Sequence, residues 1–166
     1  KVPTNIDEWY TVLKAFKEKD PNGNGQADEI PLISQKGSGV YDFLLAYGLT
    51  KEDNGFFVDN GQVKYSYMEP AYKDYLTTMR QWYEEGLIDP EYPAVDRATL
   101  DAKMTSNIAG AAFGGAGTGF MGLFMNIMRE EKNMPEFTLV GAPYPKTADG
   151  KMYGIKDDFV PGAGIA

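Results

Sequence analysis

Asp20-Pro21-Asn22-Gly23-Asn24-Gly25-Gln26-Ala27-Asp28-Glu29-Ile30-Pro31 is the stretch on which the reading of this chain turns. Counted from Asp20, oxygen-bearing side chains stand at positions 1, 3, 5 and 9, and glycine stands at position 6. Alternate residues of a tightly curled loop point inward, and calcium takes about six to eight hard oxygens, so this spacing is the opening of an EF-hand calcium loop. Gly25 permits the sharp reversal, and Gln26 at position 7 offers its backbone carbonyl whatever its side chain. The twelfth position departs from that pattern. Pro31 stands where a bidentate Glu belongs, and Glu29 at position 10 is the nearby carboxylate able to replace it. Pro31 also forbids an immediate second helix, so the loop joins a helix to a strand and is expected to be structural rather than a sensor. The competing reading is an Asn/Gly turn that holds no ion.

Working outward, Thr4 is placed to cap a helix with Asp7 in the capping-box position, and Ile6, Trp9, Tyr10, Leu13 and Phe16 recur as one apolar stripe up to Asp20-Pro21. Downstream, Leu32-Ile33 is a short apolar run, and residues 41–47 (YDFLLAY) read as a buried helix closed by Gly48. Residues 56–65 read as a hairpin turning at Asn60-Gly61. A helix is predicted over 69–85, with Tyr72, Tyr75, Leu76, Met79, Trp82 and Tyr83 on one face and both Trp82 and Tyr83 in the core. Another helix is predicted over 96–105. Residues 108–113 (IAGAAF) read as a buried central strand running into Gly114-Gly115-Ala116-Gly117-Thr118-Gly119, and an apolar helix follows over 120–131. Residues 137–140 read as a further strand and residues 148–151 as a second hairpin turn. Helices alternating with a few strands indicate an α/β or α+β domain.

Composition narrows the chemistry. The 166 residues contain no Cys and no His, which removes disulfides, thiolate metal sites, imidazole bases and Ser-His-Asp triads. With 24 acidic and 16 basic residues the net charge is −8, which argues against a nucleic-acid surface or an anionic membrane. No stretch reaches the roughly 18–20 apolar residues of a membrane span. The chain opens at Lys1-Val2-Pro3 and ends on an apolar run, residues 162–166, so it is expected to be part of a longer protein.

The glycine cluster after Phe113 lacks the Lys of a P-loop, and its third glycine in GxGxxG spacing would fall at Phe120. Bare backbone there suits close approach by a neutral ligand or another lobe; flexible packing is the alternative. The chain carries 9 Phe, 2 Trp and 11 Tyr, and aromatic faces beside amides and carboxylates suit sugar rings. Tyr41 and Phe120, next to Gly-rich turns, are the aromatics placed for a ligand surface. A glycoside hydrolase would need two facing carboxylates, and no pair is singled out by its context.

The run PTNIDEWYTVLKAFKEKDPNGNGQADEIPL resembles the family 1 extracellular solute-binding proteins of bacterial ABC importers, in particular their oligosaccharide-type lipoprotein branch. MRQWYEEGLIDPEY, IAGAAFGGAGTG and VGAPYPKTADGK resemble the same family in the same order. The resemblance implies an α/β chain forming one lobe of a two-lobed periplasmic-binding-protein-like (type II) fold, with helices around a small sheet. Residues 1–166 would be a single lobe or fragment, without the N-terminal lobe and the final crossing. It implies one structural Ca²⁺ held by Asp20, Asn22, Asn24, the Gln26 carbonyl, Asp28 and Glu29. It also implies that residues 113–120 border the ligand cleft, with Phe113, Gly115, Thr118, Gly119 and Phe120 joining Tyr41 as ligand-binding candidates. The expected partners are an oligosaccharide and ABC permease subunits, with no nucleic acid. The expected location is the extracellular face of the membrane through a lipid anchor of the full-length protein, or the periplasm. No catalysis is expected. The alternatives are a carbohydrate-active enzyme domain of glycoside hydrolase type with a structural calcium, and a calcium-stabilised adhesion or scaffolding module.

Overall fold

The computed structural model describes residues 1–114 and 119–153. Gly115, Thr118 and the apolar run 162–166 therefore lie outside the described residues.

Helix α1 (Ile6–Glu18) starts at Asn5, not Thr4: the Asn5 side chain accepts from the Glu8 N–H at 2.9 Å. Glu8 rather than Asp7 reaches back, accepting from the Thr4 N–H and hydroxyl at 2.8 Å each. A Thr-led box needs its acid three residues on; shifting the cap by one residue gives that role to the longer Glu, which spans to Thr4. Strand β1 (Ile30–Ile33) follows the polar loop. The segment Gly39–Tyr47 is helical as expected, but it winds as a 3-10 helix before Gly48. The hairpin forms from β2 (Phe56–Asp59) and β3 (Gln62–Tyr65), with Asn60 and Gly61 at φ 50° and 77°, both in the left-handed region a type I′ turn requires.

Helix α2 (Pro70–Glu84) buries Tyr75, Met79 and Trp82. Tyr83, expected in the core, is 46% exposed, and its hydroxyl donates to the Pro90 carbonyl at 3.0 Å. The buried stripe is narrower than the apolar one, because only one side of α2 meets the Gly39–Tyr47 segment and α1. Trp9, Phe43 and Trp82 interlock there edge to face, with centroids 5.4 and 5.2 Å apart. Leu13, Leu32, Leu44 and Leu87 close this main core.

Helix α3 (Arg97–Thr105) is capped by Asp96, whose carboxylate accepts from the Thr99 N–H at 2.8 Å. Lys103 ties α3 to the segment after α2, donating to Asp89 and Glu91 at 2.7 Å each, with the Asp89 side chain only 1% exposed. Burial alone would lower the Lys103 ammonium, and its bonds to Asp89 and Glu91 more than offset that, holding it above the usual lysine range.

Strand β4 (Ala109–Ala112) pairs in parallel with β1, Ile30 opposite Ala109 and Ile33 opposite Ala112. The other edge of β1 is taken by the backbone at Leu87–Asp89: the Leu32 N–H donates to the Leu87 carbonyl at 3.0 Å, and the Asp89 N–H to the Leu32 carbonyl at 2.9 Å. The central position thus falls to β1. All four β4 residues are half-buried rather than fully buried, a correction that follows from the two-stranded pairing, with β1 as its one ladder partner among the described residues. Helix α4 (Met121–Asn126) continues as a π turn over Ile127–Glu131, burying Phe124 and Met128. Phe124 joins Ile33, Val95, Leu100 and Met104 in a second core behind the sheet.

Residues 137–140 do not form the expected strand. The Phe137 carbonyl accepts from the Arg129 side chain at 2.8 Å, and Val140 is 71% exposed. An apolar-polar alternation needs a neighbouring edge to become a strand, and a side chain occupies the position a ladder partner would take. The turn at 148–151 does form, closed by the Thr147 N–H to the Lys151 carbonyl at 2.8 Å, but without flanking strands. Its neighbour Lys146 instead bridges to the start of α1 through the Thr4 carbonyl at 2.8 Å. Among the described residues no helix is long and apolar enough to cross a membrane.

Candidate functional site: an oxygen-rich loop and a cleft wall

The candidate residues fall at opposite ends of the β1–β4 pair. The loop 20–29 enters β1 at its N-terminal end, and Phe113 leaves β4 at its C-terminal end.

The loop is curled by its own side chains. Asp20 accepts from the Asn24 and Gly25 N–H groups at 3.1 and 2.8 Å, Asn22 accepts from the Asn24 N–H at 3.0 Å, and Asn24 accepts from the Gln26 N–H at 2.7 Å. The Asn22 and Asn24 amides both face Asp28, lying 3.1–3.3 Å from its carboxylate oxygens. Asn22 further anchors the loop to the start of β4, donating to the Asn107 carbonyl at 3.2 Å. Glu29 turns inward beneath this ring. One carboxylate oxygen lies 3.5 Å from the Asn22 N–H, while Oε2 is buried without a hydrogen-bond partner.

A buried, unpartnered carboxylate oxygen is costly unless a cation or donor reaches it. Among the described residues no group of three or more His, Cys, Asp or Glu is arranged to hold a metal ion. The loop instead brings the Asn22 and Asn24 carboxamides among three carboxylates, Asp20, Asp28 and Glu29. A half-turn of the Asn22 and Asn24 carboxamides exchanges nitrogen for oxygen, which would aim both oxygens at the point Asp28 already faces. The donor set, all hard oxygen, fits calcium and would suit no soft metal. A cavity of about 380 Å³ opens beside the loop, lined in part by Phe16, Glu29, Met134 and Phe137.

The other end is assembled from separate stretches of chain. Gly39 sits at φ +62°, and a Cβ there would fall 2.2 Å from the Ser34 hydroxyl and 3.4 Å from the Phe113 side chain, so only glycine lets the 3-10 segment start this close to the strand end. Its N–H donates to Asp42 at 2.8 Å. Asp42, 5% exposed, also holds Lys51, whose Nζ lies 3.1 Å from each carboxylate oxygen. Lys51 Nζ in turn stands 5.5 Å from the centroid of the Phe113 ring. Phe113 is 39% exposed, and the Tyr144 ring lies 6.4 Å from it. Tyr41 lines the same small hollow as Asp42 and Lys51. Burial, and then neighbouring Tyr41, push the Tyr92 hydroxyl up to about 12, keeping it a neutral donor.

The structure therefore brings Tyr41 and Phe113 to one wall through Lys51. Phe120 is turned away from that role: its ring packs edge to face on Phe124 at 5.0 Å and fills the space a Gly114 side chain would need. Gly119 offers its carbonyl to Arg97 at 3.1 Å. Sequence reasoning missed Asp42 and Lys51, which are nine residues apart, one in the Gly39–Tyr47 segment and one in the bend after it, and carry no local signature.

No family model matches the chain. It is 41% identical over 95 residues, 55% of this chain and 18% of the relative, to the fructooligosaccharide ABC transporter substrate-binding protein FusA of Streptococcus pneumoniae serotype 4. The solved structure of FusA with kestose has a TM-score of 0.59 and 34% identity, covering 66% of this chain and 23% of that one. The chain is homologous to ABC-transporter solute-binding proteins. Lipoprotein LipO of Bacillus subtilis strain 168 is 34% identical over 66% of this chain and 22% of its own length. The alginate-binding protein AlgQ2, solved without calcium ion, aligns over 93% of this chain and 31% of its own at a TM-score of 0.78 and 32% identity. The fold is accordingly one part of the two-lobed solute-binding-protein architecture. The chain spans about a fifth of the length of the curated relatives it matches.

Proposed function

We propose that this chain is a lobe segment of the substrate-binding component of an ABC transporter, which captures an oligosaccharide outside the cell and delivers it to permease subunits. The observation that carries this reading is the wall at the C-terminal ends of β1 and β4. An exposed ring, Phe113, stands beside an ammonium fixed by a buried carboxylate, and open sheets of this class accept ligands at their strands' carboxyl ends. Sugar rings pack their C–H faces on aromatic rings and present hydroxyls to charged and polar groups at the rim. Phe113, Tyr41 and Gly119 are assigned to this wall, and Gly115 and Thr118 remain ligand-binding candidates from the sequence alone; Phe120 packs on Phe124.

In this reading the chain performs no covalent chemistry. It works by closure of two lobes over the ligand, and it is tethered by a lipid anchor of the full-length protein or held in the periplasm. Residues 1–166 form a single lobe, the N-terminal lobe and final crossing lying elsewhere in the parent. Asp20, Asn22, Asn24, the Gln26 carbonyl, Asp28 and Glu29 would hold one structural Ca²⁺, which would tie α1 to β1 and supply cohesion, not reactivity. The buried oxygen of Glu29 supports this assignment. A solved FusA structure described as an EF-hand mutant, in complex with fructo-nystose, supports it too.

Calorimetric titration of the full-length protein with an oligosaccharide panel tests the proposal. Saturable binding with unaltered glycan recovered afterwards is the expected outcome. Release of shortened products would favour the glycoside hydrolase alternative.

A further inference from the structure

We infer that the outward face of the β2–β3 hairpin is an internal interface, covered in the full-length protein by another, apolar part of the same polypeptide. The register sets Phe56 opposite Tyr65 and Val58 opposite Val63, and alternation along each strand puts all four on one face. Phe56, Val58 and Val63 are 52%, 69% and 73% exposed. The other face carries Phe57 opposite Lys64 and Asp59 opposite Gln62, and Phe57 packs against the main core. An antiparallel ribbon with one solvated face ordinarily turns its polar residues outward. Here the polar residues accompany the packed face, and the apolar ones meet water. The face is also held in shape. Gly55, at φ +88°, has the Tyr67 ring where a Cβ would come within 2.6 Å of it; Tyr67 meets Tyr65 edge to face at 5.2 Å, and Tyr65 lies 4.7 Å from Phe56. The Ser66 hydroxyl, at the foot of β3, accepts from the Thr50 N–H at 3.0 Å.

The chemistry of the face selects its occupant. A sugar ring needs hydroxyl partners beside the aromatic surface, and the two valines that prolong this strip supply none. A second copy needs roughly 800 Å² from each partner, and four side chains on two strands fall well short of that. A segment of the same chain needs neither, because its tether has already cut the entropy lost on docking and a small apolar contact suffices. The inference rests on the reading of residues 1–166 as part of a larger solute-binding protein. Such a parent has chain to spare, since the match covers 22% of LipO and 31% of AlgQ2 and most of each relative lies outside it. A two-stranded ribbon is marginal by itself in water, so an apolar cover would stabilise the hairpin as well.

The test is thiol labelling of the full-length protein carrying Val63→Cys, with Gln62→Cys, its exposed neighbour on the other face, as the open reference. The 166 residues hold no cysteine of their own. Val63→Cys should react with a maleimide at least about tenfold more slowly than Gln62→Cys, at a rate that does not change between about 1 and about 100 µM protein. Hydroxyl-radical footprinting of the wild type decides the matter should a variant fail to fold. Phe56, normalised to the unfolded chain, should be modified at least about threefold more slowly than Tyr83, which is 46% exposed. Labelling rates within about twofold of each other, or a Phe56 as reactive as Tyr83, overturn the inference and leave the face to water or to a foreign partner. Protection that grows with protein concentration overturns it in favour of a second copy. Glycan binding is titrated on the same samples, so an open face overturns this inference with oligosaccharide capture intact.

Discussion

The two ends of the β1–β4 pair are built in opposite ways. At the N-terminal end every candidate ligand comes from ten consecutive residues, curled by hydrogen bonds among themselves, so the geometry is local. At the C-terminal end Asp42, Lys51, Phe113 and Tyr144 arrive from stretches up to about a hundred residues apart, and meet because the cores place them there. A local site can lose its ligand without disturbing its neighbour; an assembled one depends on everything beneath it.

The largest effect is expected where the assembled end is undermined from below. Lys103→Met leaves the Asp89 carboxylate buried and unpaired, and should cost about 3–5 kcal/mol in denaturant unfolding. Glycan affinity should fall with the fraction folded. At the local end, Asp20→Ala should abolish calcium-dependent stabilisation, worth about 2.7 kcal/mol at a hundredfold excess of calcium over its dissociation constant, while changing glycan affinity less than about twofold. Chelator would then lower the melting temperature of wild type but not of the variant.

Gly39→Ala reverses that pattern. The positive φ and the clash with Ser34 should cost roughly 1–3 kcal/mol and weaken glycan binding, with calcium affinity unchanged. The smallest effect belongs to the start of α1. Lys1 and the Thr4 hydroxyl and N–H hold the Glu8 carboxyl down at about 2. A depressed carboxylate contributes stability that is present above its unfolded value and is lost as pH falls through about 4 towards 2. Wild type should therefore melt higher than Glu8→Gln at pH 6, with the difference vanishing near pH 2.

The same contrast explains what could be read from the chain. The loop was legible because its oxygens are spaced within one motif, and the hairpin because Asn60-Gly61 demands one turn type. Helix periodicity located α1, α2 and α3 but overstated α2's buried face: Leu76 and Tyr83 share the apolar stripe with Tyr75, Met79 and Trp82 yet remain 47% and 46% exposed. Residues 137–140 carry an alternating pattern, but pairing depends on a neighbour that pattern does not encode. The Asp42–Lys51–Phe113 contact was illegible for the same reason, since neither its spacing nor its composition marks it before the Gly39–Tyr47 segment is docked on the strand end.

The most direct measurement is anomalous diffraction from crystals of the full-length protein grown with saturating calcium. The account predicts one ion within the loop, bound by Asp20, Asn22, Asn24, the Gln26 carbonyl, Asp28 and Glu29, with the Glu29 Oε2 among its ligands. A loop that holds only water under those conditions, its amides still turned toward Asp28, would contradict it.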